Sequence, residues 1–210
     1  MKKSPKLLLL YSGIFLFLVF IAFSFLVHKN LFTQVDFNTT VRIQDKIPRR
    51  FDFFFSVLSL VGSFEIVSVV LLVLWLFIRK LKYILVLCLF GFFHLLELYG
   101  KAFVAHPGPP YLFFRYDIPF QFPTSYVQPG SSYPSGHLAR TTFLAVIIAF
   151  LIFHFKKFSK RQKQILYCLI IIFVVLMFIS RIYLGEHWLS DVIGGSILGT
   201  SMGLMSLLFL

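Results

Sequence analysis

Residues 165–210 read ILYCLIIIFVVLMFISRIYLGEHWLSDVIGGSILGTSMGLMSLLFL. Two apolar runs, at about 165–180 and 188–210, are each close to the length at which a helix crosses a hydrocarbon core. Between them SRIYLGEHWLSD, at 180–191, brings an arginine, a histidine and an aspartate. On a helix His187 and Asp191 lie one turn apart on one face, where a carboxylate orients an imidazole. Arg181 adds a rigid fork of donors suited to phosphate or carboxylate. Taken alone, these residues fit a helix-anchoring ion pair as well as a catalytic dyad.

Working outward, the chain has the composition of a membrane protein. Of its 210 residues 59% are hydrophobic and 13% charged, where soluble domains carry about 25% charge. The expected fold is all-α, one polytopic domain over 1–210 with six spans at about 7–27, 53–78, 83–100, 138–155, 165–180 and 188–210. The first run is longer than a signal-peptide core and lacks a small-residue cleavage site, so it reads as a retained helix. Cys88 and Cys168 fall inside apolar runs and suggest no disulfide framework. Residues 28–52 are polar and mixed in charge, with a weak signal for an interfacial helix.

The net charge of +12 does not point to nucleic acid, because its distribution follows membrane topology. Eleven of the twenty Lys and Arg residues sit in three clusters without acids: Lys2, Lys3 and Lys6; Arg79, Lys80 and Lys82; and the cluster at 156–163. The positive-inside rule makes these segments and both termini cytoplasmic, in a plasma or inner membrane. The remaining polar segments then share the outer face. They include the long loop at 102–134, with Pro107, Pro109, Pro110, Pro119, Pro123, Pro129 and Pro134 interleaved with aromatics suited to the headgroup level. Within the spans, Glu65 is an intramembrane carboxylate in need of a partner or a wet cavity. His94, Glu97 and Lys101 form a polar stripe, with Glu97 and Lys101 in the favourable order for an ion pair. Asp191, Gly195, Gly199 and Gly203 step by four, so a small-residue face would turn the His187–Asp191 edge toward the bundle.

On the same outer side, Pro134-Ser135-Gly136-His137 opens the fourth span. Ser135 suits an N-cap, and the first amides of the helix, at Gly136 and His137, suit an anion. Together the residues describe phosphoryl transfer. Lys101, Arg181 and the helix-start amides would hold a phosphate and spread its charge. His187, oriented by Asp191, would be the nucleophile and pass through a phosphohistidine, with His137 protonating the leaving oxygen. No cluster has metal-ligand spacing, so the expected chemistry needs neither metal nor cofactor.

These motifs resemble the type-2 phosphatidic acid phosphatases, which share their site with vanadium haloperoxidases. That family carries a lysine with Arg-Pro seven and eight positions later, then PSGH, then Ser-Arg with His and Asp at fixed distances. Ser180, Arg181, His187 and Asp191 match the third motif, and residues 134–137 the second. The resemblance implies the same roles for His187, Asp191 and His137, and a phosphorylated membrane lipid as substrate. In the first motif Lys101 and Pro109 are present, but Gly108 stands where the arginine belongs. Arg140, one helical turn past His137, is the favoured substitute, followed by Arg115 in the loop and His106. The expected activity is hydrolysis of a lipid phosphomonoester or diphosphate: phosphatidate, phosphatidylglycerophosphate or a polyprenyl diphosphate. A lipid phosphotransferase using the same histidine and a catalytically lapsed lipid-binding homologue are the alternatives.

Overall fold

The structure is a computed structural model that describes residues 5–119 and 131–210. Lys2, Lys3, Pro123 and Pro129 lie outside the described residues. Among the described residues eight α-helices follow one another: α1 (Pro5–His28), α2 (Thr33–Lys46), α3 (Asp52–Leu60), α4 (Phe64–Ile78), α5 (Ile84–Phe103), α6 (Gly136–His154), α7 (Lys160–Tyr183) and α8 (Leu189–Ser206). Five of the described helical segments are long and apolar enough to cross a membrane, and residues 49–60 with α4, bent by 46° at the break, make a sixth when counted as one span. The all-α, multi-span architecture expected from the apolar runs is therefore present.

Within the bundle α8 is the axle, packed against α6 and α1, while α7 closes on α6 and α3. The outer helices turn Leu8, Phe15, Leu76, Phe77, Leu95 and Ile171 outward, as a hydrocarbon environment requires. Helices α6 and α8 are the most enclosed of the spans. A ring cluster of Phe64, Phe90, Phe93 and Phe143 fills the space between α4, α5 and α6.

The small-residue face of α8 meets the backbone of α6. A Cβ on Gly195 would strike the Ser135 carbonyl, and one on Gly199 the Ala139 carbonyl. One on Gly203 would come within 2.9 Å of Val146 Cβ and 3.2 Å of the Phe143 oxygen. Three glycines one turn apart thus face three carbonyls one turn apart, the close approach that small residues permit. The contact sets PSGH at the top of α6 beside the top of α8, where the Ser135 N–H donates to the Asp191 carbonyl at 3.0 Å.

The second span differs from the unbroken helix expected over 53–78. Helix α3 stops at Leu60 and α4 restarts after Ser63, whose hydroxyl accepts from the Ile66 N–H at 3.3 Å. A glycine and a capping serine at 62–63 interrupt the ladder. The break also moves Glu65 from mid-span to the first turn of α4, where the helix dipole favours an acid. The weakly signalled helix in 28–52 is well formed as α2, and it docks through the Gln44 amide, which donates to the Phe113 and Tyr183 carbonyls at 2.6 and 2.8 Å.

Replacing Gly199 by leucine should wedge α8 from α6 and cost about 1–3 kcal/mol, the range for overpacking. It should lower the unfolding temperature in detergent, whereas Gly91→Leu, at a position where a Cβ would meet nothing within 4 Å, should leave it unchanged. Tryptophan fluorescence on heating reads both.

Candidate active site

At the α8 end of the bundle the polar residues converge. The turn between α7 and α8 reverses on Gly185, whose φ of 71° lies in the left-handed region. His187 accordingly precedes the helix instead of sharing a helical face with Asp191, since α8 begins at Leu189. Asp191 sits in the first turn of α8, and its Oδ2 accepts from the Trp188 N–H at 2.8 Å. That same oxygen faces His187 Nδ1 at 3.5 Å. The two side chains stand side by side, but a helix cap and a turn bring them together instead of the shared helical face that was expected. Resting distances of this kind shorten when a ligand closes the site.

Around the dyad lie three cations. Burial pushes the His187 imidazole well below its ordinary 6.5, and the charges of Arg181, Lys101 and Arg140 act in the same direction, against the Ser132 backbone. Arg181 is fully buried near the end of α7. It bonds to Ser59 of α3 and pairs with Glu186 in the turn. Arg140 donates through Nε to the Gly62 carbonyl at 3.0 Å, and through Nη1 to Glu97 Oε2 at 2.6 Å. The helix break at 61–63 therefore supplies partners to the site. Glu97 is held by Arg140 and, at 3.1 Å, by His94, so these residues take the place of the expected Glu97–Lys101 pair.

Ser135 occupies the N-cap of α6, yet its hydroxyl makes no capping bond. It is buried without a hydrogen-bond partner among the described residues, as are Arg181 Nε, His187 Nδ1 and Asp191 Oδ1. Buried polar groups are ordinarily satisfied, so this concentration at one spot marks a place for a polar ligand. Gly136 is required there, because a Cβ would run into the Glu97 carboxylate and within 2.7 Å of Arg140 Nη1. His137 follows it, buried on the same turn.

Of the substitutes considered for the missing arginine, only Arg140 stands among the other cations. Arg115 is elsewhere: its Nη1 donates to the Ile47 carbonyl at 3.2 Å and its guanidinium lies over the Tyr183 ring at 5.1 Å. Those contacts tie the loop after α5 to the end of α7 and occupy the charge. His106 lies behind Asp191, 3.5 Å from its Oδ1. Three site residues escaped the sequence reading. Ser59 and Asp36 carry no local signal, while Glu186 lies within the quoted 180–191 stretch, directly before His187. Among the described residues no three His, Cys, Asp or Glu side chains form a group able to hold a metal ion.

Comparison with known proteins adds four findings. The family model described as the PAP2 superfamily matches residues 79–210. A segment of 68 residues is 37% identical to phosphatidylglycerophosphatase B of Bacillus subtilis (strain 168), covering 32% of this chain and 34% of that protein's length. The crystal structure of the first transmembrane PAP2 type phosphatidylglycerolphosphate phosphatase from Bacillus subtilis superposes with a TM-score of 0.76 at 22% identity, over 95% of this chain and 96% of that one. The crystal structure of Aquifex aeolicus LpxE gives 0.61 at 24% identity, over 82% and 94%. At these identities the two structures speak for the fold.

Two measurements test the geometry. Arg140→Ala should abolish most activity, while Arg115→Ala should retain it at some cost in stability. The second concerns pH. With the His187 and His106 imidazoles both depressed below 6.5, the unfolded chain binds more protons than the native one just below that value. Their contribution to stability is complete above about pH 6.5 and is lost as pH falls through the window. Asp36, raised from 3.8 by burial, works in the opposite sense, lowering stability as pH rises above that value. The unfolding temperature should therefore fall less between pH 7 and pH 5 in His187→Gln than in the wild type.

Proposed function

Because the chain belongs to the PAP2 superfamily, we propose that it is an integral membrane lipid phosphatase whose nucleophile is His187. The observation that carries this reading is the convergence of His187, Asp191 and His137 with Lys101, Arg140 and Arg181 on one cluster of unpaired buried polar atoms.

The geometry supports the following reaction. Asp191 faces Nδ1, so Nε2 of the neutral His187 is the free lone pair that attacks phosphorus. The bond from phosphorus to the lipid oxygen breaks, and His137 delivers a proton to that oxygen. Asp191 balances the positive charge that appears on the imidazole. Lys101, Arg140, Arg181 and the α6 amides take up the charge of the phosphoryl oxygens. In the second half His137 accepts a proton from water, which attacks the phosphohistidine. Phosphate leaves and His187 is restored. No step calls for a metal. Ser135 and Gly136 let the phosphate approach the backbone at the start of α6.

The site is assigned to the outer membrane face. Lys6, Lys80 and Lys82 gather about the C-terminal end of α8, and that helix, of 18 residues, carries the His187 turn about 27 Å away. Basic clusters mark the cytoplasmic side, which supports this orientation. Phosphatidylglycerophosphate heads the substrate classes on the strength of the 37% identical relative's name, with phosphatidate and polyprenyl diphosphates beside it.

The purified protein in detergent should release inorganic phosphate from at least one of these three lipids, with EDTA present and water as acceptor. His187→Ala should lower the rate by more than about 10³-fold, the scale for losing a covalent nucleophile. An active His187→Ala protein would sink the scheme.

A further inference from the structure

His106 comes from the long loop after α5, three residues beyond Phe103, and is buried together with Asp36 of α2. Its Nε2 stands 3.2 Å from Ser190 Oγ, 3.5 Å from Asp191 Oδ1 and 3.7 Å from Asp36 Oδ2. Ser190 in turn gives both its donors to Asp36, the backbone N–H to Oδ1 and the hydroxyl to Oδ2, each at 2.8 Å. With its own proton committed to Asp36, the serine oxygen can only accept from His106. The hydrogen-bond chain therefore assigns the His106 proton to Nε2, on the side of Asp191. The His106 carbonyl accepts from the N–H and hydroxyl of Ser132 at 3.0 and 3.2 Å. One residue thus joins the Lys101 segment, the approach to PSGH and the first turn of α8.

Asp191 has its Oδ2 toward His187 and its Oδ1 toward His106, both at 3.5 Å. No hydrogen bond to Oδ1 forms among the described residues, and the Ser132 side chain also reaches this carboxylate. Without a donor on that side the carboxylate plane is free to turn away from His187, and an unpaired buried oxygen is costly. We propose that His106 is a positioning residue, its one Nε2–H shared between Ser190 Oγ at 3.2 Å and Asp191 Oδ1 at 3.5 Å and so holding Asp191 from the side opposite His187, with Asp36 and Ser190 fixing His106 in turn. The sequence placed His106 third among candidate phosphate ligands; the structure places it behind the carboxylate, away from the missing arginine's role. This inference rests on His187 as nucleophile.

Glutamine puts a donor near the Nε2 position of histidine and asparagine near Nδ1, so the two substitutions separate positioning from bulk. His106→Asn should lower kcat by about 10- to 100-fold, the cost of a misplaced catalytic group, with KM little changed. His106→Gln should stay within about threefold of wild type, on the same reasoning. Equal kcat in the two variants, or failure of both to fold, would assign His106 a structural role and overturn the proposal.

A second arm needs no lipid. The rate at which diethyl pyrocarbonate modifies His187 is followed against pH by mass spectrometry. Around His187 stand Arg181, Lys101, Arg140, His137, Glu186 and Asp191, none altered by the substitutions, and around His106 stand Asp36 and Asp191. Loss of a well-aimed Asp191 should move the acid limb to lower pH in His106→Asn and not in His106→Gln. Coincident limbs in all three proteins would refute the clamp. If the wild type hydrolyses none of the lipids, the phosphatase reading fails while this arm still decides the role of His106.

Discussion

Three glycines of α8 rest against three carbonyls of α6, and the polar end of the molecule is positioned from that contact. Apolar side chains provide little net drive for helices to associate in lipid, because the surrounding hydrocarbon is equally apolar. Close backbone approach supplies packing that larger residues would prevent. The consequence is functional, since the same two helices begin with PSGH and with the Asp191 turn. A backbone bond from Ser135 to the Asp191 carbonyl locks the two starts together, so helix packing and site assembly are one event.

Burying cations at this end imposes a second requirement. Every polar group sunk into a membrane bundle needs an internal partner. The broken second span answers it: ending α3 at Leu60 and restarting after Ser63 frees the Gly62 carbonyl for Arg140 and presents Ser59 to Arg181. Glu97 and Glu186 supply the countercharges. What looks like a defect in a spanning helix is the means by which two buried guanidinium groups are accommodated. The arrangement leaves Arg181 Nε and the Ser135 hydroxyl unpaired, ready for an incoming anion.

The same cations tune the imidazole. A histidine buried against three positive charges stays neutral, and a neutral ring keeps the lone pair that a nucleophile needs. Asp191, its Oδ2 3.5 Å from His187 Nδ1, bears on that ring only where it is aimed, and His106 with Asp36 stands behind it.

The apolar runs, the basic clusters and the spacing of residues 134–137 and 180–191 were legible directly, because span length, charge bias and catalytic motifs are local properties. They determined a multi-span helical protein and named His187, Asp191, His137, Lys101 and Arg181. The break at 61–63 was not legible, since Gly62-Ser63 inside an apolar run is equally compatible with a continuous helix. Nor was the choice of Arg140 over Arg115. Both are basic residues between Lys101 and Ser180, and only tertiary partners separate them: Glu97 and Gly62 hold Arg140, while Ile47 and Tyr183 hold Arg115. Asp36 and His106 lie 70 residues apart, and 155 and 85 residues from Asp191. A contact among such positions exists only after α2, the loop after α5 and α8 have packed, so tertiary structure alone decided what stands behind the Asp191 carboxylate.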